Sequence, residues 1–307
     1  MTEKFTTVKA VIGLIVAFFC VGHLSASDFQ EIKVTNGLEF LKALGSNRLI
    51  AITEDADINI SDVLNDDELL KEAGITLETE GETVNGEKEM KAAVSVFDGR
   101  ELVLRNIHHL SIVGDGDGPS KIMTDPRYAN LMCFEHCSNI VLINLSIGHT
   151  ETGECMGGVL HFEDCKDVQM NLCDLYGCGV EGITAYRTEG IRFRSSVIRD
   201  CSMSIMTLAG CLDVQFADSK FFRNRYVGIR IGYDNRNIIF DRCTIQENQG
   251  ILFMIDTPVV FRNCSISHQE RLGATRNIST ENCQLSDYVK VIWEDDNVCT
   301  EDPDMMD

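Results

Sequence analysis

The fold is decided by residues 189–245, which read EGIRFRSSVIRDCSMSIMTLAGCLDVQFADSKFFRNRYVGIRIGYDNRNIIFDRCTI. Apolar residues recur in columns through this stretch and on both sides of it. The first column consists of Ile140, Val168, Ile191, Val214, Ile238 and Val259. The second, two residues later in each repeat, consists of Leu142, Met170, Phe193, Phe216, Phe240 and Phe261. The third consists of Ile147, Leu175, Ile198, Phe221, Ile245 and Ile266. Alternation over short runs rich in β-branched and aromatic residues predicts strands rather than helices.

The repeat length identifies the architecture. Coils are predicted to start near Leu131, Val159, Ile183, Ile205, Ile229 and Ile251. An earlier coil around 101–113 and a partial one around 277–285 extend the series. Three short strands in a period of 22–28 residues suit a parallel β-helix, in which each strand pairs with its copy one coil away at about 4.8 Å. The sequence therefore predicts an all-β solenoid of about seven coils, whereas the leucine and asparagine consensus of leucine-rich repeats is missing.

The chain divides into four predicted regions. Residues 1–27 have the charged, apolar and small segments of a secretory signal peptide, with cleavage after Ser27, although a retained anchor is an alternative. Residues 28–99 are predicted to form a small α/β cap, with a helix at 36–44 behind Asn36. The β-helix is expected over 100–288, and 289–307 as a last edge strand, Val289 to Trp293, followed by an acidic tail. These features predict a secreted or periplasmic monomer with no membrane span after cleavage.

Charge narrows the range of partners. The net charge of −21 becomes −22 when one acidic and two basic residues leave with residues 1–27, so nucleic acid is not an expected partner. Residues 183–242 are the exception, with 10 Lys and Arg against 6 Asp and Glu. An acidic polysaccharide or an envelope protein is the predicted partner for this locally positive stretch.

Most of the cysteines are predicted to be buried free thiols. Of the 13 cysteines, two sets repeat in register, Cys137, Cys165 and Cys211 in one and Cys243, Cys264 and Cys283 in the other. Stacked residues lie about 4.8 Å apart, whereas a disulfide needs Cβ atoms about 3.8 Å apart. A third set, Cys155, Cys178 and Cys201, falls in loops. One bridge there stays open, as does a zinc site completed by His149 or His161, although no metal or cofactor is predicted.

Several motifs resemble a known superfamily. They are 124–130 TDPRYAN, 134–140 FEHCSNI, 148–150 GHT, 157–159 GGV and 175–179 LYGCG. Together they resemble bacterial right-handed parallel β-helix repeat proteins of the pectate-lyase-like superfamily, over most of residues 36–285. The resemblance implies a right-handed solenoid. Members with known reactions mostly cleave or bind acidic polysaccharides, and many have none established.

The known catalytic sets of that superfamily do not transfer to this chain. The pectate-lyase type has a Trp-Ile-Asp-His stretch, but the one tryptophan here is Trp293. The polygalacturonase type has Gly-His-Gly and Arg-Ile-Lys, which 148–150 and 230–232 match only in part. We therefore predict no catalytic residues.

A binding surface is predicted on the loops that precede the first strand of each coil. Its candidate residues are His149, Tyr176, Glu181, Arg199, Asp200, Arg223, Arg225, Tyr226 and Arg230. Guanidinium groups bind carboxylates, and aromatic rings pack on sugar faces. Three functions stay open: binding of a glycan or protein without catalysis, cleavage of an acidic polysaccharide by a lyase or hydrolase, and a structural assembly role. The competing interpretation of these residues is that they only keep exposed loops soluble.

Overall fold

The structure, a computed structural model, describes residues 30–78, 88–151, 156–177 and 179–291. Its strands form three long sheets, which we name A, B and C. The chain passes from sheet C to sheet A to sheet B and then returns to sheet C one coil further on. Seven complete coils run from Gly99 to Ile266, and an eighth is partial. The predicted right-handed parallel β-helix is confirmed.

Each sheet contains one strand per coil over the body of the solenoid. Sheet A consists of Gln30–Val34, Arg48–Ile52, His108–Gly114, Ser138–Ile143, Lys166–Asn171, Glu189–Arg194, Leu212–Ala217, Arg236–Asp241, Val259–Arg262 and Ile278–Glu281. Sheet B consists of Asp57–Asn59, Ser120–Thr124, Leu145–His149, Asp174–Tyr176, Val197–Arg199, Lys220–Phe222, Thr244–Gln246, Ser265–Ile266 and Gln284–Leu285. Sheet C consists of Thr76–Glu78, Met90–Val96, Gly99–Arg105, Met132–Glu135, Leu160–Glu163, Glu181–Tyr186, Ser204–Ala209, Val227–Ile231 and Ile251–Ile255.

The predicted apolar columns form the core. Phe216 pairs in register with Phe193 on one side and Phe240 on the other. These side chains are fully buried, and the rings of Phe216 and Phe240 stack with centroids 4.6 Å apart. Identical positions therefore lie over one another, which buries one continuous core along the solenoid axis.

The cysteine columns are part of this packing. Cys173 donates its N–H to Ser196 Oγ at 2.9 Å, and Cys243 donates its N–H to Cys264 Sγ at 3.4 Å. Thiol and hydroxyl groups thus fill equivalent corner positions. Burial raises the pKa of the Cys173 thiol to about 12, which keeps it protonated and unreactive. The nine cysteines among the described residues are free, as predicted for the two ladders.

The third cysteine set is only partly described. Cys201 is buried and free, whereas Cys155 and Cys178 lie outside the described residues. The described residues contain no group of three or more His, Cys, Asp or Glu side chains suited to a metal ion. The loop disulfide and the zinc site stay hypotheses.

Short helices and two outer strands close the N-terminal end. The helices are Gly37–Ala43, Ser61–Leu64 and Asp67–Glu72. Asn36 caps the first by accepting the N–H of Glu39 at 3.0 Å, as predicted. Sheet A already begins at Gln30, so its first two strands stack on the coils inside the region expected to be a separate cap. Met90–Val96 pairs antiparallel with Gly99–Arg105.

The C-terminal end differs from expectation. Instead of the strand predicted from Val289 to Trp293, residues 287–291 are helical. Lys290 donates its N–H to Ser286 O at 2.9 Å, and this turn buries Val289 completely. A helical turn covers the last coil without offering another strand edge for pairing. Trp293, the acidic tail and the predicted signal peptide lie outside the described residues.

No helix in the described part of the chain is long and apolar enough to span a bilayer.

Candidate functional site

The predicted site residues occupy one side of the solenoid, where sheet B passes into sheet C. Three of them end sheet B strands, namely His149, Tyr176 and Arg199. Four lie in the connecting loops, namely Asp200, Arg223, Arg225 and Tyr226, and two lie on sheet C, namely Glu181 and Arg230. We call the connecting segments the loop row; its described parts are 125–131, 150–151, 156–159, 177, 179–180, 200–203, 223–226 and 247–250.

Four charged side chains form a chain of ion pairs along the loop row. Arg199 donates to both oxygens of Asp174, at 2.9 and 2.8 Å, and its Nη1 donates to Asp200 Oδ2 at 2.7 Å. Arg223 donates to both oxygens of Asp200, at 2.7 and 2.8 Å. These hydrogen bonds, with that of Arg223 the strongest influence, lower the pKa of Asp200. Arg199 and Arg223, two of the four arginines predicted at the binding surface, are thus largely neutralised by aspartates of the same chain.

Aromatic rings lie beneath both of these arginines. The guanidinium carbon of Arg199 lies 4.8 Å from the ring centroid of Tyr176, and that of Arg223 lies 4.5 Å from the ring of Phe222. Burial raises the pKa of Tyr176. The contacts are typical of cation–π pairs, and they hold the guanidinium planes against the solenoid.

Among the described residues, Arg225 and Tyr226 take no part in this chain of ion pairs. Within the described residues we find no hydrogen bond or ion pair for the Arg225 guanidinium. Tyr226 is 59% exposed, and its φ of 58° turns the backbone out of the loop into the next coil. Among the predicted site residues on the loop row, these two are exposed and take no part in an ion pair with another described residue.

His149 is buried rather than presented to solvent. Its Nε2 lies 3.0 Å from Ala129 O, and its Nδ1 has no hydrogen-bond partner. Burial lowers the pKa of His149, so the ring favours its neutral form. A ligand on the surface cannot reach this side chain without movement of the loops around it.

Glu181 anchors a second group of polar residues, on the outer face of sheet C. Its carboxylate accepts the hydroxyls of Thr184 and Thr207, each at 2.6 Å. Arg230 Nη1 lies 3.6 Å from Glu181 Oε1. Thr184, Thr207 and Arg230 pair in register on three successive strands, so the group crosses three coils.

Tyr186 extends this group along the same strand. Burial is the main cause that raises the pKa of its phenol, followed by the charge of Glu181. Its ring centroid lies 5.6 Å from that of His161, one strand away. We call Glu181, Thr184, Tyr186, Thr207 and Arg230 the sheet C cluster.

Three of these residues were not predicted, and the sequence suggested His161 only as a possible zinc ligand. The sequence signal was available, since Thr184, Tyr186 and Thr207 alternate with the buried residues of their strands. They were missed because the candidates were chosen by charge and by position in a loop. The sequence does not distinguish an outward strand residue that only faces solvent from one that belongs to a site.

Large apolar side chains are exposed along the loop row. They are Tyr128, Met156, Met203 and Tyr226, with Phe97 next to the first of them. The rings of Phe97 and Tyr128 lie 4.9 Å apart. Exposed rings beside hydroxyl, guanidinium and phenol groups provide stacking surfaces and hydrogen-bond partners for sugars.

Comparison with known proteins identifies the family. A model of the right-handed β-helix region matches residues 130–285, about half of the chain. The chain belongs to the right-handed β-helix family. No match was found among curated proteins.

Among solved structures, the alginate lyase from Paenibacillus sp. str. FPU-7 is 9% identical with a TM-score of 0.41, over 84% of this chain and 95% of that one. PfbA, a surface adhesin of Streptococcus pneumoniae, is 8% identical with a TM-score of 0.39, over 84% and 81%. A putative glycosyl hydrolase from Parabacteroides merdae is 10% identical with a TM-score of 0.24, over 83% and 97%.

Proposed function

We propose that this protein is an exported β-helix protein that binds a glycan, without cleaving it, across the sheet C cluster and the neighbouring loop row. The observation that supports this most directly is the group held by Glu181. Two hydroxyls and a guanidinium surround one carboxylate, and the parallel strands of sheet C hold them in register. Preorganised polar groups of this kind bind with a low entropic cost.

The exposed side chains of this surface suit a sugar polymer. Arg230 is 45% exposed, and Tyr226 and Met203 border the sheet from the loop row. Each coil adds about 4.8 Å, so a polymer that crosses several coils meets an aromatic or polar side chain at each step. Arg225 and Arg230 provide the cations for an acidic sugar in place of Arg199 and Arg223, because Arg225 has no ion pair among the described residues and the ion pair of Arg230 with Glu181 is long, at 3.6 Å.

The charged groups at this surface argue against catalysis. Asp174 and Asp200 are fully engaged by arginines, and Glu181 is engaged by its two threonines. A general base works best with a pKa near the operating pH, whereas the pKa of Tyr186 is raised.

A polysaccharide lyase is the second candidate. It is favoured by the proximity of the Tyr186 and His161 rings to each other and of Arg230 to Glu181, since a lyase needs a base beside a cation that neutralises the sugar carboxylate. In that case Tyr186 or His161 would act as the base.

A binding screen tests the proposal. The purified protein is titrated with acidic and neutral polysaccharides while ultraviolet absorbance follows unsaturated product. We expect binding to at least one glycan, no product, and about tenfold or greater weakening by Arg230→Ala, because a charge-assisted hydrogen bond contributes about 1.5–3 kcal/mol.

Arg236→Ala is the matched control. Arg236 is exposed on sheet A, so its removal should leave glycan binding unchanged. Product formation would replace the binding function with the lyase. Equal binding by the Arg230 and Arg236 variants, or no glycan binding, would contradict the proposed surface.

A further inference from the structure

Two arginines lie side by side on the outer face of sheet A. Arg192 and Arg194 are two residues apart on the strand Glu189–Arg194, and their strand neighbours Ile191 and Phe193 are buried in the core. Since side chains alternate across a strand, both arginines point outward, with Cα atoms about 6.6 Å apart. Arg192 is partly exposed and Arg194 is exposed. One short stretch of the sheet thus presents two positive charges.

Other arginines of the solenoid are neutralised by a carboxylate of an adjacent coil. The pairs are Arg187 with Asp164, Arg199 with Asp174, Arg223 with Asp200, Arg242 with Asp218 and Arg262 with Glu281. In the part of the chain that the structure describes, no carboxylate forms such an ion pair with Arg192 or Arg194. In a protein with a net charge of −21, two adjacent arginines without an acidic partner are an exception.

The residues beside these arginines in register are amides or alanine rather than acids. They are Gln169 and Gln215 for Arg192, and Asn171 and Ala217 for Arg194. Gln215 accepts a long hydrogen bond from Arg194, at 3.4 Å. We find no hydrogen bond to the side chains of Gln169 and Asn171 from any other described residue. Each of these amides offers both a donor and an acceptor to a ligand.

Arg192 is held in place by the backbone. Its Nη1 donates to Ile191 O at 3.0 Å and also to Asp213 O in the next coil. The Asp213 carboxylate is occupied, because its Oδ1 accepts the side chain of Asn237 at 2.5 Å. No described residue accepts a hydrogen bond from Nε or Nη2 of Arg192. A guanidinium that is fixed before binding loses less freedom when a ligand arrives.

The acidic side chains nearby are engaged by other cations. Asp218 accepts two hydrogen bonds from Arg242, at 2.6 and 2.8 Å. These hydrogen bonds are the main cause that lowers the pKa of Asp218, with a smaller contribution from the charge of Arg194. Glu189, on the same strand as the two arginines, lies 3.7 Å from the amine of Lys166. The charges of Arg192 and Arg194 are therefore left for a ligand.

We propose that Arg192, Arg194 and the amides beside them bind a sulfate ester of a glycan. One guanidinium occupies both oxygens of a planar carboxylate through its fork of donors. A sulfate ester has three free oxygens, so it accepts hydrogen bonds from two guanidiniums at once. The amides of Gln169 and Asn171 then suit the sugar hydroxyls. The acidic remainder of the protein repels a polyanion and favours its approach to this positive stretch.

This site lies on a different sheet from the sheet C cluster and takes a different chemical group. Either surface therefore functions without the other, and Arg230→Ala should leave binding of a sulfated sugar unchanged. A loss of sulfate binding through Arg230→Ala would place the ligand on the sheet C cluster and overturn the site on sheet A.

Titration with glucose 6-sulfate, followed by nuclear magnetic resonance near pH 5, tests the two arginines. We expect Arg192→Gln together with Arg194→Gln to weaken binding at least fivefold. Lys166→Gln together with Arg236→Gln is the matched control, because it removes the same charge from exposed positions of sheet A outside these rows. The control should change the affinity less than twofold. Equal losses for the two double variants would mean general attraction by positive charge and would overturn the site.

Two related sugars test the ligand group. Glucuronic acid and glucose 6-phosphate carry a carboxylate or a phosphate at the same carbon. Near pH 5 each of the three probes carries about one negative charge, since the second pKa of a phosphate ester is about 6. We expect glucose 6-sulfate to bind most tightly, because only its group has three oxygens that all accept. Tighter binding of the carboxylate or the phosphate would contradict the sulfate assignment.

A footprint on the wild-type protein covers the case in which the double variant does not fold. Phenylglyoxal modifies accessible arginines, and mass spectrometry reads the modification for each peptide. Saturating glucose 6-sulfate should slow the modification of Arg192 and Arg194 at least threefold and leave that of Arg225 unchanged. Equal protection of all three arginines, or no protection of Arg192 and Arg194, would show that the sulfate is not bound there.

Discussion

Phe216 shows how a single side chain supports its neighbours one coil away. It is fully buried and contacts the rings of Phe193, Phe221 and Phe240, with centroids 4.6 to 5.8 Å away. Phe216→Ala should therefore lower the free energy of unfolding by about 3–5 kcal/mol. Urea unfolding measures this, with Gln215→Ala on the same strand as a control expected within about 0.5 kcal/mol. Similar losses for both variants would mean that Phe216 is not a packed core residue.

Asp200 links two coils through charge, so its contribution depends on pH. The hydrogen bonds from Arg223 and Arg199 lower its pKa in the fold. The stability that this carboxylate contributes is complete above its unfolded pKa and is lost as pH falls through the lower folded pKa. Asp200→Asn should lower the melting temperature at pH 7, and the difference from wild type should shrink near pH 2. A difference that is constant or grows in acid would contradict the ion-pair assignment.

Within each coil, the sequence predicts the buried strand positions better than the conformation of the corners between strands. The buried columns were predictable because their spacing repeats and each strand hides alternate residues. The corners were less predictable. Leu172, Ser195 and Arg242 have φ values of 54°, 48° and 51°, although among residues other than glycine this left-handed conformation is favoured by Asn and Asp. The coil must turn there whatever the residue, so tertiary structure overrides local preference.

Lys91 joins two helices to the solenoid from strand Met90–Val96. Its Nζ donates to Leu41 O and Ala73 O, each at 2.8 Å, at the ends of helices Gly37–Ala43 and Asp67–Glu72. Burial, and then the charge of Arg48, lowers its pKa to about 8. The folded chain therefore binds fewer protons than the unfolded chain between the folded pKa and the ordinary lysine pKa of 10.5.

Stability contributed through Lys91 should accordingly be complete above the unfolded pKa and lost as pH falls through about 8. We expect the stability of wild type relative to Lys91→Met to rise between pH 7.5 and pH 10, measured by urea unfolding. Lys166→Met serves as the control, because Lys166 is exposed on sheet A and its difference should stay flat. If the stability difference between wild type and Lys91→Met stays constant or falls as pH rises, the buried amine of Lys91 is not the cause of the pH dependence.

For the whole molecule, the sequence predicts which side of the solenoid the candidate residues share, but not the contacts that they make with one another. Arg199 pairs with an aspartate 25 residues away and Arg223 with one 23 residues away, which is one coil in each case. Because each pair is separated by one coil, an alignment of the charged residues of successive coils predicts both pairs. The burial of His149 was not predictable, because it depends on the approach of neighbouring loops.

This pairing changes which arginine should matter for binding. The sequence predicts Arg223 and Arg225 as equal candidates for binding, but Arg223 donates two hydrogen bonds to Asp200, whereas Arg225 has no ion pair within the described residues. With an acidic glycan as ligand, Arg225→Ala alone should therefore weaken binding about as much as the double variant, and Arg223→Ala alone should weaken it much less. Since exposed charges are screened over about 8 Å at physiological ionic strength, added salt should weaken wild type more than Arg225→Ala. Titration calorimetry at two salt concentrations measures both effects. A larger loss from Arg223→Ala, or no dependence on salt, would mean that the ion-paired arginine carries the contact or that the glycan is not held by charge.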